Sequence, residues 1–224
     1  MNMQIRVLFI ILATFASSVL ISFFITVILQ DSMISNTTPS PSIRNKIDDN
    51  RGDAKLVALY RTKQTPEVRN YHDILSADVK KINDNKILLT IDLAGDANQN
   101  EKYETVYLWL INHIDPLDGK EKLYTIIVPN FALDSNFENK GWYLAIYNNT
   151  ANSYSLPLSK INSNMPKNKV EVFFDRNFIG NLTSFNYSVS VMIRVNSTFL
   201  AKPPDYLVDS CPDNDLFWSK WFRS

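Results

Sequence analysis

Tyr187-Ser188-Val189-Ser190-Val191-Met192-Ile193-Arg194-Val195 is the stretch that decides the fold. Tyr187, Val189, Val191, Ile193 and Val195 take every second position, with Ser188, Ser190, Met192 and Arg194 between them. Successive side chains of a strand point to opposite faces, so this alternation predicts a strand with one core face and one solvated face. An amphipathic helix would instead space its apolar residues by three and four.

The same period recurs on either side. Ile87, Leu89, Ile91 and Leu93 share one face of Lys86–Leu93, and Val170, Val172 and Phe174 alternate with Glu171 and Asp175. Further strands are predicted at Leu75–Ile82, Val106–Ile114, Leu123–Val128, Trp142–Tyr147 and Ser153–Leu158. A weak helical or strand segment is expected at Leu56–Tyr60. Turn-forming stretches such as Asn83-Asp84-Asn85 and Asp115-Pro116-Leu117-Asp118-Gly119 separate them. Many short strands joined by turn chemistry predict an all-β domain, an antiparallel β-sandwich with immunoglobulin-like or jelly-roll-like layers.

Outside this domain, Val7 to Leu29 is an uncharged apolar run between Arg6 and Asp31. A helix of that length crosses the roughly 30 Å hydrocarbon core of a bilayer. Ala13, Ala16, Ser17 and Ser18 would suit signal cleavage, but the apolar run continues past them, which favours an uncleaved anchor. Arg6 on the near flank favours a cytoplasmic N-terminus and an extracytoplasmic domain. The expected organisation is a single-pass transmembrane anchor over 1–29, a flexible polar stalk over 30–55 and a β-sandwich over 56–224. The stalk reading rests on the Ser/Thr/Pro-rich stretch 35–42 and the alternating charges of 46–53.

Composition narrows the function. The 23 Lys and Arg balance the 23 Asp and Glu, which argues against a nucleic-acid partner. Cys211 stands alone, so no intrachain disulfide forms and the fold depends on its core. Asn36, Asn148, Asn181, Asn186 and Asn196 begin Asn-x-Ser/Thr triplets, candidate glycosylation sites on an extracellular domain. The chain has no His-Glu-x-x-His motif and no Gly-x-Ser-x-Gly elbow, and its five glycines form no phosphate-cradling loop. The expectation is therefore a binding or adhesive module without catalysis.

Asp73-Ile74-Leu75-Ser76-Ala77-Asp78-Val79, followed after a turn by Lys86 to Gly95, resembles the opening strands of the DOMON-like and family 9 carbohydrate-binding-module-like β-sandwiches. Thr105 to Asp118 resembles their aromatic strand and Asp-rich hairpin, and Asp209-Ser210-Cys211-Pro212-Asp213 their closing segment. The resemblance implies a module that binds sugars or haem, often with a structural Ca²⁺. Asp73, Asp209 and Asp213 are the candidate oxygen ligands for such an ion, against turn capping as the plain alternative. Asp115, Asp118, Gly119 and Glu121 lack the spacing of a calcium loop and read as a hairpin turn.

Tyr107, Trp109, Trp142 and Tyr143 are candidates for a ligand-binding platform, though an inner sheet face would want the same residues. The tail Phe217 to Phe222 is expected to pack as a final strand or to cap the sandwich. The partner would be a glycan or a surface protein at the cell membrane. The alternatives are a haem- or copper-carrying redox module using His72, His113 and a Met, or a structural envelope component.

Overall fold

The computed structural model describes residues 46–59, 65–100, 103–131, 141–161, 165–195, 204–212 and the backbone of 219–222. The anchor segment, Asn36, Asn196 and Asp213 lie outside them. Among the described residues no helix is long and apolar enough to cross a membrane.

Two antiparallel sheets make an all-β fold. The strands in chain order are β1 (Lys46–Asp48), β2 (Val57–Ala58), β3 (Ile74–Lys81), β4 (Lys86–Leu93), β5 (Glu104–Ile114) and β6 (Glu121–Phe131). They continue with β7 (Gly141–Asn148), β8 (Ser153–Ile161), β9 (Lys169–Asp175), β10 (Ser184–Arg194), β11 (Tyr206–Cys211) and β12 (Ser219–Phe222). The smaller sheet runs β1-β3-β4-β9; the larger runs β2-β11-β10-β5-β6-β7-β8, with β12 also paired to β10. Every strand expected from the alternation is present, and the C-terminal tail does supply a last strand.

One core lies between the sheets. Ile87, Leu89, Ile91, Val170 and Val172 from the smaller sheet meet Trp109, Ile111, Ile126, Val189 and Val191 from the larger. Each such side chain removed from water contributes about 1.5–3 kcal/mol, so the alternating faces drive the assembly. Tyr187 ties the layers directly, its hydroxyl donating to the Ala77 carbonyl at 3.3 Å.

The alternation of β10 breaks down near its end. Met192 and Arg194, expected on a solvated face, are both buried. The outer face of the large sheet carries its own apolar cluster, in which Met192 joins Val106, Ile127, Ala145 and Tyr147, with Leu59 and Leu207 packed against them. Arg194 pairs there with Glu104 at 2.5 Å, both nearly inaccessible. A register shift between Val191 and Met192 accompanies the change.

Within the segment expected as stalk, the structure describes a strand, β1. Lys46, Ile47 and Asp48 pair with Asp78, Ala77 and Ser76 of β3. Backbone hydrogen bonding to an edge strand makes a strand of a segment whose polarity suggested none. At the other margin, β8 ends the large sheet. Its pairing jumps from Leu144↔Ser159 to Ile146↔Leu156, leaving a bulge that holds Pro157.

Candidate metal centre

The segment after β1 crosses from one sheet to the other, and the crossing creates the site. The amide of Asp49 donates to the Leu75 carbonyl at 2.9 Å, extending the β1–β3 ladder. Arg51 and Gly52 then turn the chain, with Gly52 at φ +83, a left-handed conformation that a Cβ would disfavour. Lys55 donates to the Val208 carbonyl at 2.8 Å, and Val57 pairs with Leu207, so the chain arrives at the edge of β11. Asp53 sits at the crossing.

Asp73 opens β3 directly after a 3₁₀ turn at Asn70–His72. Its two carboxylate oxygens accept the Gly52 amide at 3.0 and 2.9 Å. Asp209 lies on β11, where Oδ2 accepts the Ile74 amide at 2.6 Å and Oδ1 its neighbour Ser210's at 2.9 Å. The Ile74 amide is available because the β3–β4 pairing shifts register between Ile74 and Ser76. Asp53, Asp73 and Asp209 thereby bring one carboxylate oxygen each within 4.8 Å of one another. Asp73 and Asp209 are buried and Asp53 is half-buried.

Three carboxylates this close repel. Burial pushes the Asp209 carboxyl up to about 7, against the two amides that favour its charged form, and the charges of Asp53 and Asp73 push the same way. At neutral pH such a cluster is relieved by a proton or by a cation. The donors are hard oxygens, and a carboxylate oxygen holding one amide keeps a second lone pair, so the set fits Ca²⁺, with its preference for six to eight oxygens.

The structure therefore brings together two of the three expected ligands. Asp53 was missed, although Asp48-Asp49-Asn50-Arg51-Gly52-Asp53 carries the Asp/Asn/Gly signature of a chain reversal.

The aromatic candidates are placed in the protein interior. Tyr107, Trp109 and Trp142 belong to the core between the sheets. Tyr107 donates its hydroxyl to the Tyr71 carbonyl at 2.8 Å and its ring lies 5.8 Å from that of Trp142, whose indole donates to Asn98 Oδ1 at 3.2 Å. Tyr143 points to the opposite face and meets Phe131 edge-on at 5.1 Å. None of the four presents an open ring face; the inner-sheet alternative accounts for the first three.

His72 is likewise buried. Its Nδ1 accepts the Arg69 amide at 3.0 Å and Nε2 lies 3.3 Å from Thr105 Oγ1, so both ring nitrogens are engaged. Burial, aided by the Arg69 charge, lowers its pKa to about 3. The Asp115–Lys120 segment is a hairpin turn, with Asp115 Oδ1 capping the Leu117 amide and Asp118 Oδ1 the Lys120 amide. Of the sequon asparagines within the described residues, Asn181 is exposed while Asn148 and Asn186 are half-buried.

Compared with family models, with curated proteins and with solved structures, the chain matches none of them.

Proposed function

We propose that the chain is a membrane-anchored, extracytoplasmic β-sandwich module that binds a glycan or a surface protein without catalysis. A Ca²⁺ ion held by Asp53, Asp73 and Asp209 fastens its N-terminal segment to both sheets. The carboxylate cluster carries this reading, since one cation at that point joins the β1–β2 crossing, β3 and β11. A ligand-binding module on a tether is loaded at its membrane-proximal end, and a cation there resists the opening of that seam. The apolar run Val7 to Leu29 supports the anchor, and the antiparallel two-sheet arrangement supports immunoglobulin-like or jelly-roll-like layering.

The test is thermal unfolding of the full chain in detergent, metal-free and with Ca²⁺. A ligand restricted to the folded state adds RT ln(1 + [L]/Kd), about 2.7 kcal/mol at a hundredfold excess over Kd. A rise in Tm with Ca²⁺ is expected, and an unchanged Tm removes the cation from the proposal. Protease protection of the domain in sealed vesicles of cytoplasmic-side-in orientation would remove the extracytoplasmic placement.

A further inference from the structure

At the far end of β5 and β10 from the carboxylate cluster lies a cleft of about 320 Å³. Val191, which pairs with Asp209, is seven positions along β10 from Ser184 in the cleft wall, a span of roughly 23 Å. The two sites are therefore independent.

One wall is the β5–β6 hairpin, with His113, Ile114 and Lys122; the other is the segment entering β10, with Asn181, Thr183 and Ser184. Both are held in place. Gly180 at φ +69 and Asn181 at φ +56 make a left-handed turn, and the buried Arg176 fixes it from behind, donating Nη2 to the Asn181 carbonyl at 3.3 Å. His113 Nδ1 lies 2.7 Å from the Ser184 carbonyl and joins the walls. A carbonyl only accepts, so Nδ1 donates this bond.

The resulting polar groups are mixed in a particular way. The Asn181 amide and the Thr183 and Ser184 hydroxyls both donate and accept, His113 Nε2 offers one further polar contact, and Lys122 donates with a charge. Exposed Ile114 adds an apolar strip. Closely spaced hydroxyls on a ring with C–H faces satisfy that combination, and the volume suits one or two sugar rings. The charged side chain on the lining is a cation. Its ion-pair partner Asp115, 2.8 Å from Lys122, is not part of the cleft wall, and the ammonium has two further donors.

We propose that this cleft binds an acidic saccharide, a hydroxyl-rich ring bearing a carboxylate of the uronic acid type, with Lys122 on the carboxylate and Asn181, Thr183 and His113 on the hydroxyls. The inference rests on the reading of the chain as a ligand-binding module and names its ligand class.

The probe is sodium glucuronate, observed by saturation-transfer NMR on the full chain in detergent, with glucose as the neutral comparison. Saturation of the glucuronate ring protons is expected, with an apparent Kd about tenfold weaker in Lys122→Met, the scale of one lost charge-assisted hydrogen bond. Because Asn181 also begins a sequon, all proteins are made without N-glycosylation; Asn181→Gly, which keeps the left-handed turn while removing the amide, weakens binding as well. Lys120→Met, on the same hairpin but 79% exposed and outside the cleft, leaves it unchanged. No transfer to glucuronate, equal transfer to glucose, or an equal loss in Lys120→Met would overturn the proposal. Each of those results leaves the Ca²⁺ response untouched, because none of these residues lies in the carboxylate cluster, so this failure is distinguishable from failure of the module reading.

Discussion

Asp209 Oδ2 accepts the backbone amide of Ile74 at 2.6 Å, a bond that spans 135 residues of chain and joins the large sheet to the small one. A backbone amide that leaves its own ladder for a carboxylate on the other sheet makes the seam depend on the state of that carboxylate.

Asp209→Asn keeps an oxygen for the Ile74 amide, gives up the acceptor of the neighbouring Ser210 amide and removes one of three mutually repelling charges. In metal-free buffer at pH 8 the variant is expected to be more stable than the parent by about 1–2 kcal/mol. In saturating Ca²⁺ the order reverses, because the variant has lost a ligand. Paired Tm measurements check this; a variant less stable than the parent in metal-free buffer would contradict the repulsion argument.

Two buried groups oppose each other in the pH dependence. Asp209, facing Asp53 and Asp73, has its folded pKa raised to about 7, so its contribution is fully present below the unfolded value of about 3.9 and is lost as pH rises through 7. His72, facing Arg69, Tyr71 and Thr105, is lowered to about 3, so its contribution is present above about 6.5 and is lost as pH falls. Each slope is at most about 1.4 kcal/mol per pH unit, and they cancel between about pH 4 and 6.5. Urea midpoints of the metal-free protein should be nearly flat across that window, whereas Asp209→Asn should lose stability as the pH drops.

Trp109→Ala separates core from platform. The side chain is fully buried between the sheets, so its removal is expected to cost about 3–5 kcal/mol. A variant with unchanged urea midpoint that lost only ligand binding would return Trp109 to the surface role its sequence context also allowed.

Gly95 lies against the turn that delivers Asp73. A Cβ there would stand 2.8 Å from both Asn70 Cβ and the Tyr71 amide nitrogen, and backbone cannot swing aside as a flexible side chain does. Gly95→Ala is expected to destabilise by about 1–3 kcal/mol and to weaken the Ca²⁺-induced rise in Tm. An unaltered midpoint in denaturant would show that the approach is looser than this.

The strands with a periodic apolar face were legible, because β4, β5, β9 and most of β10 are decided by which side chains leave water. Lys46-Ile47-Asp48 was not, since its strand state comes from backbone pairing with β3 and leaves no period in its side chains. The carboxylate cluster was half legible. Asp73 and Asp209 stood out within strand-like motifs, but Asp53 joins them only through a crossing between sheets. Tyr107 and Trp109 show the converse limit: aromatic alternation on both faces of one strand suits a core and a binding surface equally. The outer apolar layer around Met192 was hidden for a similar reason, because its partners come from β5, β6 and β7.

The bulge at Pro157 bears on how copies of this chain meet. An outermost strand offers a row of unused amides and carbonyls on which another copy can grow a continuous ribbon. β8 is nine residues long, enough to seed one, but proline has no amide hydrogen to give and the bulge turns the row out of line. Crowded on one surface, such molecules do not readily extend the large sheet through β8, and neighbours meeting at that margin do so through side chains.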